Sequence, residues 1–124
     1  MIIDHIRDLY DFQEFFYKYP MPKEQQFDFL WVVKNPNLFC FYDEKTGELK
    51  AYIVMCKFED KLYLNGASCR KNMPDNIQGI IKVCNAFDED IYSYTKNKCA
   101  KVLLNKAGFK KISECEYIRK HKNG

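Results

Sequence analysis

Long apolar runs are missing from this sequence, since charged residues interrupt every hydrophobic stretch before it reaches the length of a membrane span. Near the N-terminus, Asp4, His5, Arg7 and Asp8 break up what a signal peptide would keep apolar, so no leader and no membrane partner are expected. Cysteines occur singly at 40, 56, 69, 84, 99 and 115, never as a C-x-x-C pair and never beside a histidine cluster. That spacing argues against a structural zinc site or a redox dithiol, and reads instead as buried reduced thiols in a reducing, cytoplasmic compartment. His5 and His121 stand near opposite ends and share no motif with a nucleophile, which leaves a catalytic triad without a base. Internal repeats, low-complexity runs and linkers are also absent, and one domain over 1–124 is the expectation.

What is present suffices for a core. Of 124 residues 47% are apolar and 16% aromatic, enough to fold without disulfides or metal. The net charge of +3 is unevenly spread: from residue 95 onward nine Lys/Arg face only Glu114 and Glu116, a balance of +7 that leaves −4 for the rest. Basic residues within 96–122 could meet an anionic partner, nucleic acid or an acidic protein surface. Lysines solvating a helix face explain them more simply, because no aromatics are interleaved along the sequence for base stacking and no standard nucleic-acid motif occurs.

From Ile2 to Tyr19 apolar residues recur at three-and-four spacing, predicting an amphipathic helix that Pro20 ends; Ile2 and Ile3 form a short first strand in the alternative reading. A second helix is expected from Lys23 to about Lys34, with Phe27, Leu30, Trp31 and Lys34 on one face and Asn35-Pro36 as its stop. Three strands follow, Leu38 to Tyr42, Leu49 to Phe58 and Leu62 to Cys69, joined by turns at Gly47 and at Glu59-Asp60-Lys61 into an antiparallel meander. Pro74 to Phe87 reads as a helix with Ile77, Ile80, Ile81 and Cys84 inward, and Ile91 to Thr95 as a strand, parallel to the third through a right-handed crossover. The chain then runs through a helix from Asn97 to Ala107 and strands at Phe109 to Ser113 and Cys115 to Lys120. The fold class is therefore α/β, a mixed, mostly antiparallel sheet flanked by helices with one βαβ crossover.

The most specific stretch runs from Asn97 to Phe109. Asn97 suits an N-cap and Gly108 the left-handed residue after a helix. With Asn97, Ala100, Leu103, Gly108 and Phe109 in place, it resembles the Asn-x-x-Ala-x-x-Leu-Tyr-x-x-x-Gly-Phe signature of the GCN5-related N-acetyltransferase (GNAT) superfamily. The order of meander, crossover, helix and terminal hairpin is similar to that family's over residues 38–120. Leu104 departs from it, standing where many members keep a tyrosine as general acid.

The resemblance implies acetyl-coenzyme A as cofactor, with its pantetheine between the third meander strand and the strand after the crossover. Cofactor contacts would then fall to Gly66, Ala67, Ser68, Arg70, Lys71 and Asn97. The phosphate loop of the family reads Arg/Gln-x-x-Gly-x-Gly/Ala, but here both glycines are missing from Arg70-Lys-Asn-Met-Pro74-Asp75. Pro74 removes an amide donor and Asp75 brings a negative charge into the first helical turn, which suits a helix capped without a ligand better than one capping a phosphate. Tyr92 and Tyr94 are the candidates to replace the missing general acid, although alternate tyrosines on a strand commonly serve packing. Cys69, beside Arg70 and Lys71 near a helix start, is a nucleophile candidate with no base placed by the sequence.

Three functions follow as expectations. The first is a GNAT-like scaffold, catalytically degenerate and working through a protein partner, similar to small GNAT-like proteins of tailed phages and so cytoplasmic or virion-associated. The second is an active N-acetyltransferase, its oxyanion held by a backbone amide near Asn65 to Ala67. The third is nucleic-acid binding through the basic final third. The aromatics between Phe12 and Trp31 exceed what one small core needs, so an oligomer interface is also open.

Overall fold

A computed structural model describes residues 1–21, 27–68 and 73–121. Among these the chain forms seven strands and four helices: β1 (Ile2–Asp4), α1 (Leu9–Lys18), α2 (Phe29–Lys34), β2 (Leu38–Tyr42), β3 (Leu49–Phe58), β4 (Lys61–Ser68), α3 (Met73–Asn85), β5 (Ile91–Tyr94), α4 (Lys98–Lys106), β6 (Lys110–Lys111) and β7 (Glu116–Arg119). The fold is α/β, with one open sheet in the order β1-β2-β3-β4-β5-β7-β6. The pairs β1–β2, β2–β3, β5–β7 and β7–β6 are antiparallel, and β4–β5, the pair joined by α3, is parallel. Two compact units divide the residues: Met1–Val54 with Asn65–Asn72, and Met55–Leu64 with Met73–Gly124.

In the first unit the alternative reading holds at the start: Ile2 and Ile3 belong to a strand, and the helix begins only at Leu9. Ile2 and Ile3 pair with Tyr42 and Phe41, while Asp8 caps α1 by accepting a hydrogen bond from the Asp11 amide at 3.1 Å. The cap fixes where helical geometry begins, and residues before it are free to pair as a strand. α2 is likewise shorter than expected, starting after Asp28, and residues 22–26 lie outside the described residues. Val32 is its buried residue, while Leu30 and Trp31, two of the residues expected along one face, are exposed.

Phe12 and Phe15 of α1 pack with Met21, Val32, Leu38, Cys40, Tyr42, Leu49, Tyr52 and Val54. Aromatic rings dominate this core: Phe12 meets Tyr52 edge-on at 5.2 Å between centroids, and Phe16 meets Phe29 in the same manner at 5.3 Å. Much of the aromatic excess in the N-terminal third is absorbed here, although Tyr10 and Tyr17 stay exposed. Asp43 organises the turn after β2, its carboxylate accepting from the amides of Lys45 and Thr46 at 2.8 and 2.9 Å, and Gly47 supplies a φ of 72°.

The second unit is built on the β3–β4 turn and on the crossover. Glu59 and Asp60 both have positive φ, 50° and 64°, as the two central residues of a tight hairpin require. α3 buries Ile80, Val83 and Cys84, leaving Ile77 and Ile81 partly exposed where all four apolar positions were expected inward. Asn97 caps α4 as expected, accepting from the Ala100 amide at 3.0 Å, and Gly108 follows it with a φ of 97°. The strand expected from Phe109 to Ser113 shrinks to Lys110–Lys111, because Phe109 is buried and the chain turns back at Ile112, whose amide donates to Glu116. β7 then enters beside β5, with β6 outside it.

Candidate functional site

The residues expected to form a site fall in both units. Gly66, Ala67 and Ser68 belong to β4 within the first. Tyr92, Tyr94 and Asn97 belong to the second. Arg70, Lys71 and the candidate nucleophile Cys69 lie outside the described residues.

Gly66 is held by packing of its own strand against β3. A Cβ at this position would overlap the carbonyl oxygen of Tyr52 and come within 2.9 Å of Ile53 Cγ2, so only glycine allows this approach. Ala67 packs against the aromatic core, and Ser68 is partly exposed at the end of the strand. Beneath them the Tyr52 hydroxyl is fully buried and makes no hydrogen bond among the described residues. Burial raises its pKa strongly, with the nearby Cys40 thiol adding to the shift. Burial likewise pushes the Cys40 thiol up to about 12 and the Tyr42 phenol up to about 12. Tyr42 accepts from the Arg7 amide at 3.0 Å and lies under its guanidinium. In each, burial disfavours the ionised form, as for side chains packed in an apolar core.

In the second unit, Tyr92 and Tyr94 share one side of β5 through strand alternation, with Ile91, Ser93 and Thr95 buried on the other. Tyr92 lies opposite Tyr63 in the parallel pair, their ring centroids 5.8 Å apart, and Lys61 Nζ sits 5.0 Å from the Tyr92 centroid. Sequence reading missed Tyr63 and Lys61, because only the β4–β5 register brings them beside Tyr92. Tyr94 pairs with Glu116 across β5 and β7. The Ser93 hydroxyl donates to the Leu64 carbonyl at 2.9 Å, just beyond the Tyr63–Tyr92 pair.

Asn97 spends its side-chain oxygen on the Ala100 amide. Leu104, the residue that departs from the acyltransferase signature, is 3% exposed, and its carbonyl accepts the amides of Ala107 and Phe109. Pro74 and Asp75 are exposed in the first turn of α3.

Part of the basic final third gathers at the end of α4. Lys106, Arg119 and Lys120, with Ile81, Ala107 and Gly108, line a shallow cavity of about 220 Å³. Arg119 is tied to Ala107 and Asn85, and Lys120 to Asp90, so two of the three cations already have partners. The His121 amide and then the Lys120 ammonium hold the Asp90 carboxyl below its ordinary pKa. Cys84 is buried with its thiol pushed up to about 11, Cys56 and Cys115 are partly exposed, and Cys99 is exposed, so among the described residues only Cys40 and Cys84 meet the expectation of burial. Among the described residues no group of His, Cys, Asp or Glu could hold a metal, and no helix is long and apolar enough to cross a membrane. Compared with known proteins, the chain matches no family model, no curated protein and no solved structure.

Proposed function

We propose that this chain is a GNAT-like scaffold that has given up acetyl transfer and acts by binding a macromolecule. The observation that carries the reading is Leu104: where the resembling family keeps a proton donor, this chain has an alkyl side chain buried in its core. An alkyl group can neither protonate a leaving thiolate nor relay a proton to it.

Other features support the same reading. The order of meander, crossover, capped helix and terminal hairpin is the order the signature led one to expect, and β4 and β5 are parallel over Leu62–Ile91 and Tyr63–Tyr92. Asn97, Ala67 and Gly66 each serve local packing or capping. Tyr92, one of the two candidates to replace the missing acid, packs against a neighbouring ring and an ammonium. The exposed Pro74-Asp75 start of α3 offers a phosphate one amide fewer and a repelling charge.

Calorimetric titration with acetyl-coenzyme A and with coenzyme A tests the reading. No detectable heat of binding is expected. Micromolar affinity would overturn it and restore the N-acetyltransferase, with Tyr94→Phe and an amine panel as the next experiments.

A further inference from the structure

In the second unit α3 and α4 pack beside each other on the same side of its strands. Arg119 of β7 donates from Nε to the Ala107 carbonyl at 3.2 Å and from Nη2 to Asn85 Oδ1 at 2.9 Å. Asn85 ends α3 and Ala107 caps α4, so both helix ends stand on the side of β7 that Arg119 occupies. Ile91, the partner of Arg119, and Leu62, the partner of Ile91, are buried on that side.

Alternation puts Tyr63, Tyr92 and Ile118 on the opposite side, in register across β4, β5 and β7, and all three are only half-buried. Lys61 shares this side with Tyr63. The two-residue turn sets Phe58, 64% exposed, opposite Lys61, while Lys110 of β6 pairs with Ile118 at the far edge. The face is thus a row of two tyrosine rings and an isoleucine, with Lys110 beyond Ile118 and the Lys61 ammonium over the Tyr92 ring. Neither lysine is in an ion pair among the described residues. Glu59 and Asp60 close the turn at one end, and Glu116 stands opposite Tyr94 at the other.

We infer that this face binds single-stranded nucleic acid, with bases stacked over Tyr63 and Tyr92 and the backbone phosphates drawn to Lys61 and Lys110. Adjacent, partly exposed rings on neighbouring strands suit stacking of successive unpaired bases, and the nearby ammonium groups match the phosphate charge. An acidic peptide would use the lysines but would gain little from two tyrosine faces. The inference rests on the reading of the chain as a macromolecule-binding protein, and names the partner.

Fluorescence anisotropy with a short labelled uridine oligonucleotide, its deoxythymidine counterpart and a matched duplex tests it on the full chain. Binding to the single strands should weaken with salt and exceed binding to the duplex by about tenfold or more. Tyr63→Ala and Tyr92→Ala should each weaken it by about tenfold, whereas Tyr63→Phe and Tyr92→Phe, which keep the rings and report on folding, should bind as the parent does. Lys61→Gln, at an exposed position, should flatten the salt dependence. Equal affinity for the duplex, or indifference to loss of both rings, would overturn the inference; displacement of the oligonucleotide by polyglutamate of equal charge would replace it with an acidic protein partner. If neither oligonucleotide nor acetyl-coenzyme A binds, nucleic acid is removed as the partner while the binding-protein reading stands; micromolar acetyl-coenzyme A binding removes that reading itself.

Discussion

The carbonyl oxygen of Tyr52 occupies the space that a Cβ at Gly66 would need. Gly66→Ala must therefore push β4 away from β3 and is expected to destabilise the protein by about 1–3 kcal/mol, the usual range for forcing atoms into a packed site. Gly47 is the control, because a Cβ there meets nothing within 4 Å and only its φ of 72° is at stake. Gly47→Ala should cost about 1 kcal/mol. Urea unfolding of both variants separates steric from conformational cost, and an equal loss would contradict the assignment.

Tyr52 itself carries a buried hydroxyl with no hydrogen bond among the described residues. Leaving such a group unpaired costs about 1–3 kcal/mol, so Tyr52→Phe should leave stability unchanged or raise it by about 1 kcal/mol. A clear loss in thermal melts would mean that the hydroxyl has a partner after all, an ordered water being the obvious one.

The β3–β4 turn holds Glu59 and Asp60 in the left-handed region, where asparagine and glycine are at ease. The double substitution Glu59→Asn and Asp60→Gly should stabilise the protein by about 1 kcal/mol, read as a higher urea midpoint with the slope unchanged.

α4 supplies a paired test of role. Asn97→Ala removes the cap and should cost about 1 kcal/mol, while Asn97→Asp, an equally good cap, should cost little. Leu104→Tyr restores the signature tyrosine but has to fit a buried site, so a loss of about 1–3 kcal/mol and no gain of acetyl transfer are expected. Appearance of thioester-dependent acetylation in that variant would count against the proposed function.

Asp90 gives the pH dependence. Hydrogen bonds from the His121 amide and Lys120 hold its folded-state pKa below the ordinary value of 3.8. A depressed carboxyl contributes stability fully above its unfolded pKa and loses it as pH falls through the folded value. Acid melts should show the parent losing stability faster than Asp90→Asn below about pH 4. Parallel curves would mean that the clamp contributes nothing.

Legibility followed locality. The meander strands, the Gly47 and Gly108 positions and the Asn97 cap lie within a residue or so of where the sequence places them, since alternation and turn chemistry act over a few neighbours. The boundary of α1 was not legible, because apolar spacing continues through Ile2 and Ile3, which pair with distant Tyr42 and Phe41. The packing role of Gly66 was equally hidden, because the carbonyl that demands glycine there belongs to the neighbouring strand. At the candidate site, alternation alone put Tyr92 and Tyr94 together, but Tyr63, Lys61 and Lys110 join Tyr92 and its neighbour Ile118 only through strand register.

The place of β7 between β5 and β6 has a consequence for biosynthesis. One edge of β5 is closed only by residues 116–119, after α4 and β6 have left the ribosome. Until then the nascent chain presents an open strand edge, available to a chaperone or to a misplaced neighbour. β6 cannot wait in the vacant position without shutting β7 out. Its two lysines and its brevity make it a poor occupant, so the late strand finds its slot free.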